Sequence, residues 1–203
     1  MLNNIILVSC LIISIVTGVL LKKIKKKEII QSPSKYYYFA MILLNLIVLF
    51  TPLSFLKKCF SILLISPLIY QAFLDHETME LSDILSGIIL GYGVLYIVIS
   101  HQYSNFISAL ILVGIYTILS ILGPVGFGDV KLIFGLGLLI ENYFFMILFP
   151  FVFSIIFEII IRIINKNKRK EDIFAFGPYI VIGFYFVMLF WENPISLSNV
   201  GIF

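Results

Sequence analysis

Charge is scarce in this sequence. Only 12% of its 203 residues are Asp, Glu, Lys or Arg, whereas 61% are hydrophobic, and a soluble globular domain usually carries about twice that share of charge. Cysteine is nearly missing as well. Cys10 and Cys59 stand in apolar surroundings with no second Cys or His at metal-ligand spacing, so neither a zinc centre nor a disulfide framework is expected, and both read as lipophilic packing residues. The two histidines, His76 and His101, also lack metal-spaced partners and read as solvated loop residues. No metal and no cofactor are expected on these grounds. There is no internal repeat, no low-complexity tract and no loop long enough to form a soluble domain. Met1 to Asn4 carries no basic residue and no small-residue cleavage site follows, which does not fit a cleavable secretory signal.

What fills the chain is apolar runs. Crossing a hydrocarbon core of roughly 30 Å takes about 20 helical residues, and such runs recur from end to end. The expected fold class is all-α, a polytopic membrane helical bundle of about eight transmembrane helices with the lipid bilayer as its solvent. Spans are predicted near 5–21, 37–56, 60–74, from the N-caps Ser82 or Asp83 to Ser100, then 106–122, 129–142, 143–164 and 174–191. The third and sixth are short, and Gly135 and Gly137 in the sixth permit close helix approach. Gly123-Pro124 stops the fifth.

The net charge of +3 is small, but its placement is informative. Of 14 Lys and Arg, eleven fall in two blocks, Lys22, Lys23, Lys25, Lys26, Lys27 and Lys35, then Arg162, Lys166, Lys168, Arg169 and Lys170. Between transmembrane helices such blocks mark the cytoplasmic side and not a nucleic-acid site. The N-terminus is then outside, Lys57 and Lys58 fall at the outer edge, and Asp75 and Asp129 both arrive at the cytoplasmic edge.

The informative segment is Gly126-Phe127-Gly128-Asp129-Val130-Lys131-Leu132. Glycines beside a carboxylate leave a backbone that a substrate strand can approach closely, and an acid at a membrane edge is a functional candidate by default. Taken alone, Asp129 is equally well a helix N-cap at a breaker turn. Asp75 supplies a second carboxylate at the inner end of another helix. Two acids in a low-dielectric cleft do not both ionise easily, so one keeps its proton and the pair offers a general base and a general acid. Asp83 is the one other acid to test in the place of Asp75. Glu77 and Glu80 read as solvated loop acids, and Glu158 with Arg162, four apart on one helix, as a self-neutralising pair.

The stretch from Gly126 to Leu132 resembles the GxGD-x-K-L signature of type IV prepilin peptidases. Phe73 to Asp83 is similar to that family's first-aspartate segment, and Phe176-Gly177-Pro178-Tyr179 resembles its late FGP motif. The resemblance implies an aspartic endopeptidase with eight helices and an outside N-terminus. Its substrates would be type IV pilin-like precursors, cut after a glycine that ends a short basic leader, in pilus, secretion or competence systems. It carries over Asp75 and Asp129 as the catalytic pair, and Gly126, Gly128 and Lys131 as supports of the second aspartate. It also divides the chain into an N-terminal two-helix membrane region, 1–58, only weakly similar to the family, and a catalytic membrane domain, 59–203. Ser82 stands where the family commonly has proline. The segment between Lys22 and Tyr36 lacks the four-cysteine cluster and the room of the methyltransferase region found in many bacterial members, so cleavage without methylation is expected. A transporter using membrane-edge carboxylates is the alternative from another class; both acids at one face and the lack of pseudo-symmetric halves speak against it. The presenilin and signal-peptide-peptidase group shares the GxGD aspartate but pairs it with a Pro-Ala-Leu motif absent here. Oligomeric state is not legible.

Overall fold

The structure, a computed structural model, describes residues 2–24, 35–123, 125–164 and 175–190. Among these residues it is all-α: α1 (Leu2–Ile24), α2 (Lys35–Phe50), α3 (Phe55–Thr78), α4 (Asp83–Ser100), α5 (Ser104–Leu122), α6 (Phe127–Gly137), α7 (Tyr143–Ile164) and α8 (Gly177–Phe190). Most of the second basic block and part of the first lie outside the described residues, as does the side chain of Arg162, so the Glu158–Arg162 pairing and the charge argument for sidedness are not addressed by the fold.

Five of the helices are long and apolar enough to cross a membrane: Asn3–Leu21, Phe55–Thr78, Asp83–Ser100, Ser104–Leu122 and Tyr143–Ile161. Large apolar side chains on them are exposed, among them Ile12, Ile13, Val98, Ile107 and Ile159. In water such faces would drive aggregation, whereas in hydrocarbon they carry no penalty. The chain is therefore a polytopic membrane helical protein.

Several predicted boundaries move, each for a local reason. The second span was expected to continue to residue 56, but α2 ends at Phe50 because Pro52 cannot continue the ladder. The third was expected to be short and is instead, at 24 residues, the longest helix among the described residues. Ser54 caps its start by accepting the Lys57 backbone N–H at 3.4 Å, and its end is set by Met79 in the left-handed region at φ 56. Asp75 thus lies inside the last turn of α3, not past its end. Lys57, expected at a solvated outer edge, is buried, and its Nζ lies 3.3 Å from Glu141 Oε1. The sixth span shrinks to the 11 residues of α6, about 16 Å of helix, too short to cross a bilayer alone.

α3 is the hub of one half of the bundle, packed against α1, α2, α4 and α8, while α6 is wedged between α4 and α5. Small residues permit that wedge. A Cβ on Gly93 would sit 2.6 Å from the Gly135 carbonyl oxygen, and one on Gly137 would sit 2.9 Å from Ala109 Cα, so backbones touch directly on both sides of α6.

Candidate active site

Asp75 closes α3 and is almost fully buried. Its Oδ2 accepts the backbone N–H of Gly177 at 2.8 Å. Gly177 is the first residue of α8, so the carboxylate sits where unpaired N–H groups and the positive end of a helix dipole favour negative charge. The contact also explains why residue 177 is glycine: a Cβ there would lie 2.8 Å from Asp75 Oδ2.

Asp129 is reached by a tight turn. Gly123, at φ 97, ends α5 by donating its N–H to Leu119 and Ser120, a conformation that a side chain would strain. Gly126 is then extended and precedes α6, whose third residue is Asp129. Asp129 Oδ2 accepts the Gly126 N–H at 3.0 Å in a capping arrangement. Its other oxygen, Oδ1, is buried with no hydrogen-bond partner among the described residues. Asp129 lies outside the five long spans. Burial pushes its pKa up to about 7, the charge of Asp75 adds to the rise, and the Gly126 bond opposes it.

The charge of Asp75 is felt at Asp129, so the two carboxylates, carried on α3 and α6, lie within electrostatic range of each other. Of the three residues expected to support Asp129, Gly126 bonds its carboxylate directly. Gly128 leaves room for the α3–α4 connection, since a Cβ there would lie 3.1 Å from Leu81 Cβ. Lys131 is directed elsewhere: half exposed, its Nζ donates to Asp83 Oδ1 at 2.7 Å. Asp83 is thereby committed elsewhere, with its side chain 74% exposed. Glu77, Glu80 and His76 are exposed beside α3's end, and His101 is exposed at the end of α4. No group of three His, Cys, Asp or Glu suited to a metal ion occurs among the described residues.

Two residues escaped the sequence reading. Gly177 stood in a quoted motif but without a partner, because its donor role depends on a contact with Asp75. Gln71, on α3, is fully buried and bonds the start of α4; a lone glutamine in an apolar run was the available signal.

The arrangement is a pair of buried carboxylates, each held by a backbone N–H at the start of a helix, with one oxygen left unbonded. Such a pair holds one proton near neutral pH and can take and give protons at a substrate carbonyl. The sequence model of the type IV leader peptidase family matches residues 62–163, a segment that contains both aspartates. No curated protein and no solved structure matches the chain.

Proposed function

This chain belongs to the type IV leader peptidase family, whose activity is that of an aspartic-type prepilin peptidase, and from that premise we propose that Asp75 and Asp129 are its catalytic pair. The observation that carries this reading is the placement of two buried carboxylates, Asp75 on the Gly177 N–H and Asp129 on the Gly126 N–H with its second oxygen unbonded. Asp129 holds the shared proton, and Asp75 acts as general base. Asp75 takes a proton from water as the water oxygen attacks the scissile carbonyl, and the Asp129 O–H stabilises the oxygen of the tetrahedral intermediate. When the C–N bond breaks, the leaving amine takes up the proton held by Asp75, and the pair returns to its starting state. Gly126, Gly128 and Lys131 support the second aspartate, Lys131 through its tie to Asp83.

The substrate is a type IV pilin-like precursor, cut after the glycine that ends a short basic leader and just before a hydrophobic helix. Exposed Glu77 and Glu80 next to Asp75 suit a basic leader electrostatically. Cleavage occurs at the cytoplasmic face, with the N-terminus outside. The catalytic region covers 59–203, and 1–58 is an N-terminal membrane region joined to it at the first turn of α3. The mature product is left unmethylated.

Co-expression with a pilin-like precursor, followed by gel mobility of that precursor, tests the reading. Asp75→Asn and Asp129→Asn should each abolish processing while the protein still inserts. Processing by Asp75→Asn at a near wild-type rate would remove Asp75 from the pair.

A further inference from the structure

Gln71 lies one helical turn before Asp75 on the same face of α3 and has no exposed surface. Its side-chain amide behaves like a peptide group paired with another peptide group. Oε1 accepts the Ser82 N–H at 2.9 Å, and Nε2 donates to the Ser82 carbonyl oxygen at 3.0 Å and to Ser86 Oγ at 3.0 Å. Both amide hydrogens are used. Ser82 is the N-cap of α4, yet its own side chain makes no capping bond; the start of α4 is held from α3 instead.

What this anchor fixes is the connection from Met79 to Ser82, which passes directly over the loop of the second aspartate. Leu81 from that connection packs against Gly128, the residue before Asp129, closely enough that a Cβ would have to displace it. Directly after Ser82, at the first residue of α4, Asp83 reaches across to Lys131 on α6. The exposed Asp83–Lys131 pair is a weak restraint, whereas the Gln71 amide is buried and fully bonded. We propose that Gln71 is a positioning residue for the aspartate pair: by pairing with both peptide groups of Ser82 it locks the α3–α4 connection that carries Leu81 against Gly128, and so fixes the Asp129 loop relative to Asp75. The inference rests on the reading of Asp75 and Asp129 as the catalytic pair.

Ser82 makes the device testable. Its φ of −74 is one that proline adopts, and a proline has no N–H to satisfy. Losing Gln71 leaves the part-buried Ser82 N–H without that acceptor; adding Ser82→Pro to that loss removes the orphan donor and stiffens the turn.

The experiment uses the full chain in detergent with a synthetic peptide carrying a lysine-rich leader, a glycine and a following hydrophobic stretch. Gln71→Met should lower kcat by about tenfold or more with KM within about threefold, since the residue touches no substrate but a misplaced pair is slow. Hydrogen exchange over 79–83 should rise in the same variant. Gln71→Met with Ser82→Pro should recover at least about threefold of the lost kcat, a non-additivity expected only of coupled positions. Asn105→Leu, which removes a buried amide bonded to the Leu138 carbonyl, serves as the control for general loss of buried hydrogen bonds and should leave kcat within about threefold. Should Gln71→Met fail to insert, Gln71→Asn, one methylene too short to reach Ser82, gives the same two readings. Unchanged exchange over 79–83, an unchanged kcat, no recovery in the double variant, or an equal loss in Asn105→Leu would each overturn the inference. Asp129→Asn run in parallel separates the two levels: if it still cleaves, the reading of the pair fails, while exchange over 79–83 still decides whether Gln71 is the anchor.

Discussion

At the residue scale, Asp129 links chemistry to stability. Its pKa stands at about 7 because burial and the charge of Asp75 together outweigh the single bond from Gly126. The unfolded chain releases this proton near pH 4, so the folded chain is the better proton binder between about 4 and 7. The contribution is full below about pH 4 and is lost as pH rises through about 7, a change on the order of 4 kcal/mol. Asp129→Asn has no proton to lose. It should therefore melt higher than the wild type at about pH 8, with the gap closing toward about pH 4; thermal unfolding in detergent across that range checks this, and a lower melting point at the alkaline end would contradict it. Gly177 gives a second residue-level expectation. Alanine there favours a helix by roughly 1 kcal/mol, yet its Cβ would press on Asp75 Oδ2 at 2.8 Å. Gly177→Ala should thus lose about tenfold or more in cleavage rate without losing insertion, a combination that a weakened helix would not give.

At the element scale, the connection between α3 and α4 separates two acids that look alike in sequence. Asp75 is inside a helix and buried, while Asp83 opens the next helix and is exposed in its pair with Lys131. An exposed pair contributes between about 0 and 1 kcal/mol, so Asp83→Asn should leave precursor cleavage within about threefold of wild type. Abolished cleavage in a folded Asp83→Asn protein would move the assignment. Much of this scale was legible beforehand: α5 was stopped at Gly123, α7 began where predicted, and Gly135 and Gly137 announced the close approach of α6 to its neighbours. The errors share a cause. Hydropathy reports where a chain is apolar, not where its helix is capped, so α3 was cut short at both ends although Ser54 and Met79 set its limits. The Asp129 loop was readable because Gly126 and Gly128 lie within three residues of Asp129 in sequence. Gly177, Gln71 and the Lys57–Glu141 pair were not, since each acts through a partner brought near only by the packed bundle.

At the scale of the whole molecule, the bundle presents apolar faces outward and carries charged residues near both ends of α3 and α6. Near one end of those helices are Asp75 and Asp129, and near the other Lys57 and Glu141. The family match stops at residue 163, and yet the N–H that holds Asp75 comes from residue 177. Synthesis runs in that same order. Asp75 leaves the ribosome first, Asp129 follows, and α8, whose Gly177 N–H bonds Asp75, is made after both, so on the proposed reading a nascent chain in the membrane possesses its acids well before it can act as a protease. Ending the chain at residue 164 should yield a protein that inserts and keeps both aspartates but fails to process precursor, and co-expression of residues 165–203 as a separate membrane segment should restore processing in part. Full processing by the shortened chain would show that α8 is dispensable. If the expectation holds, the bond from Gly177 acts as a timer, delaying proteolysis inside the bilayer until the enzyme's own insertion has reached α8.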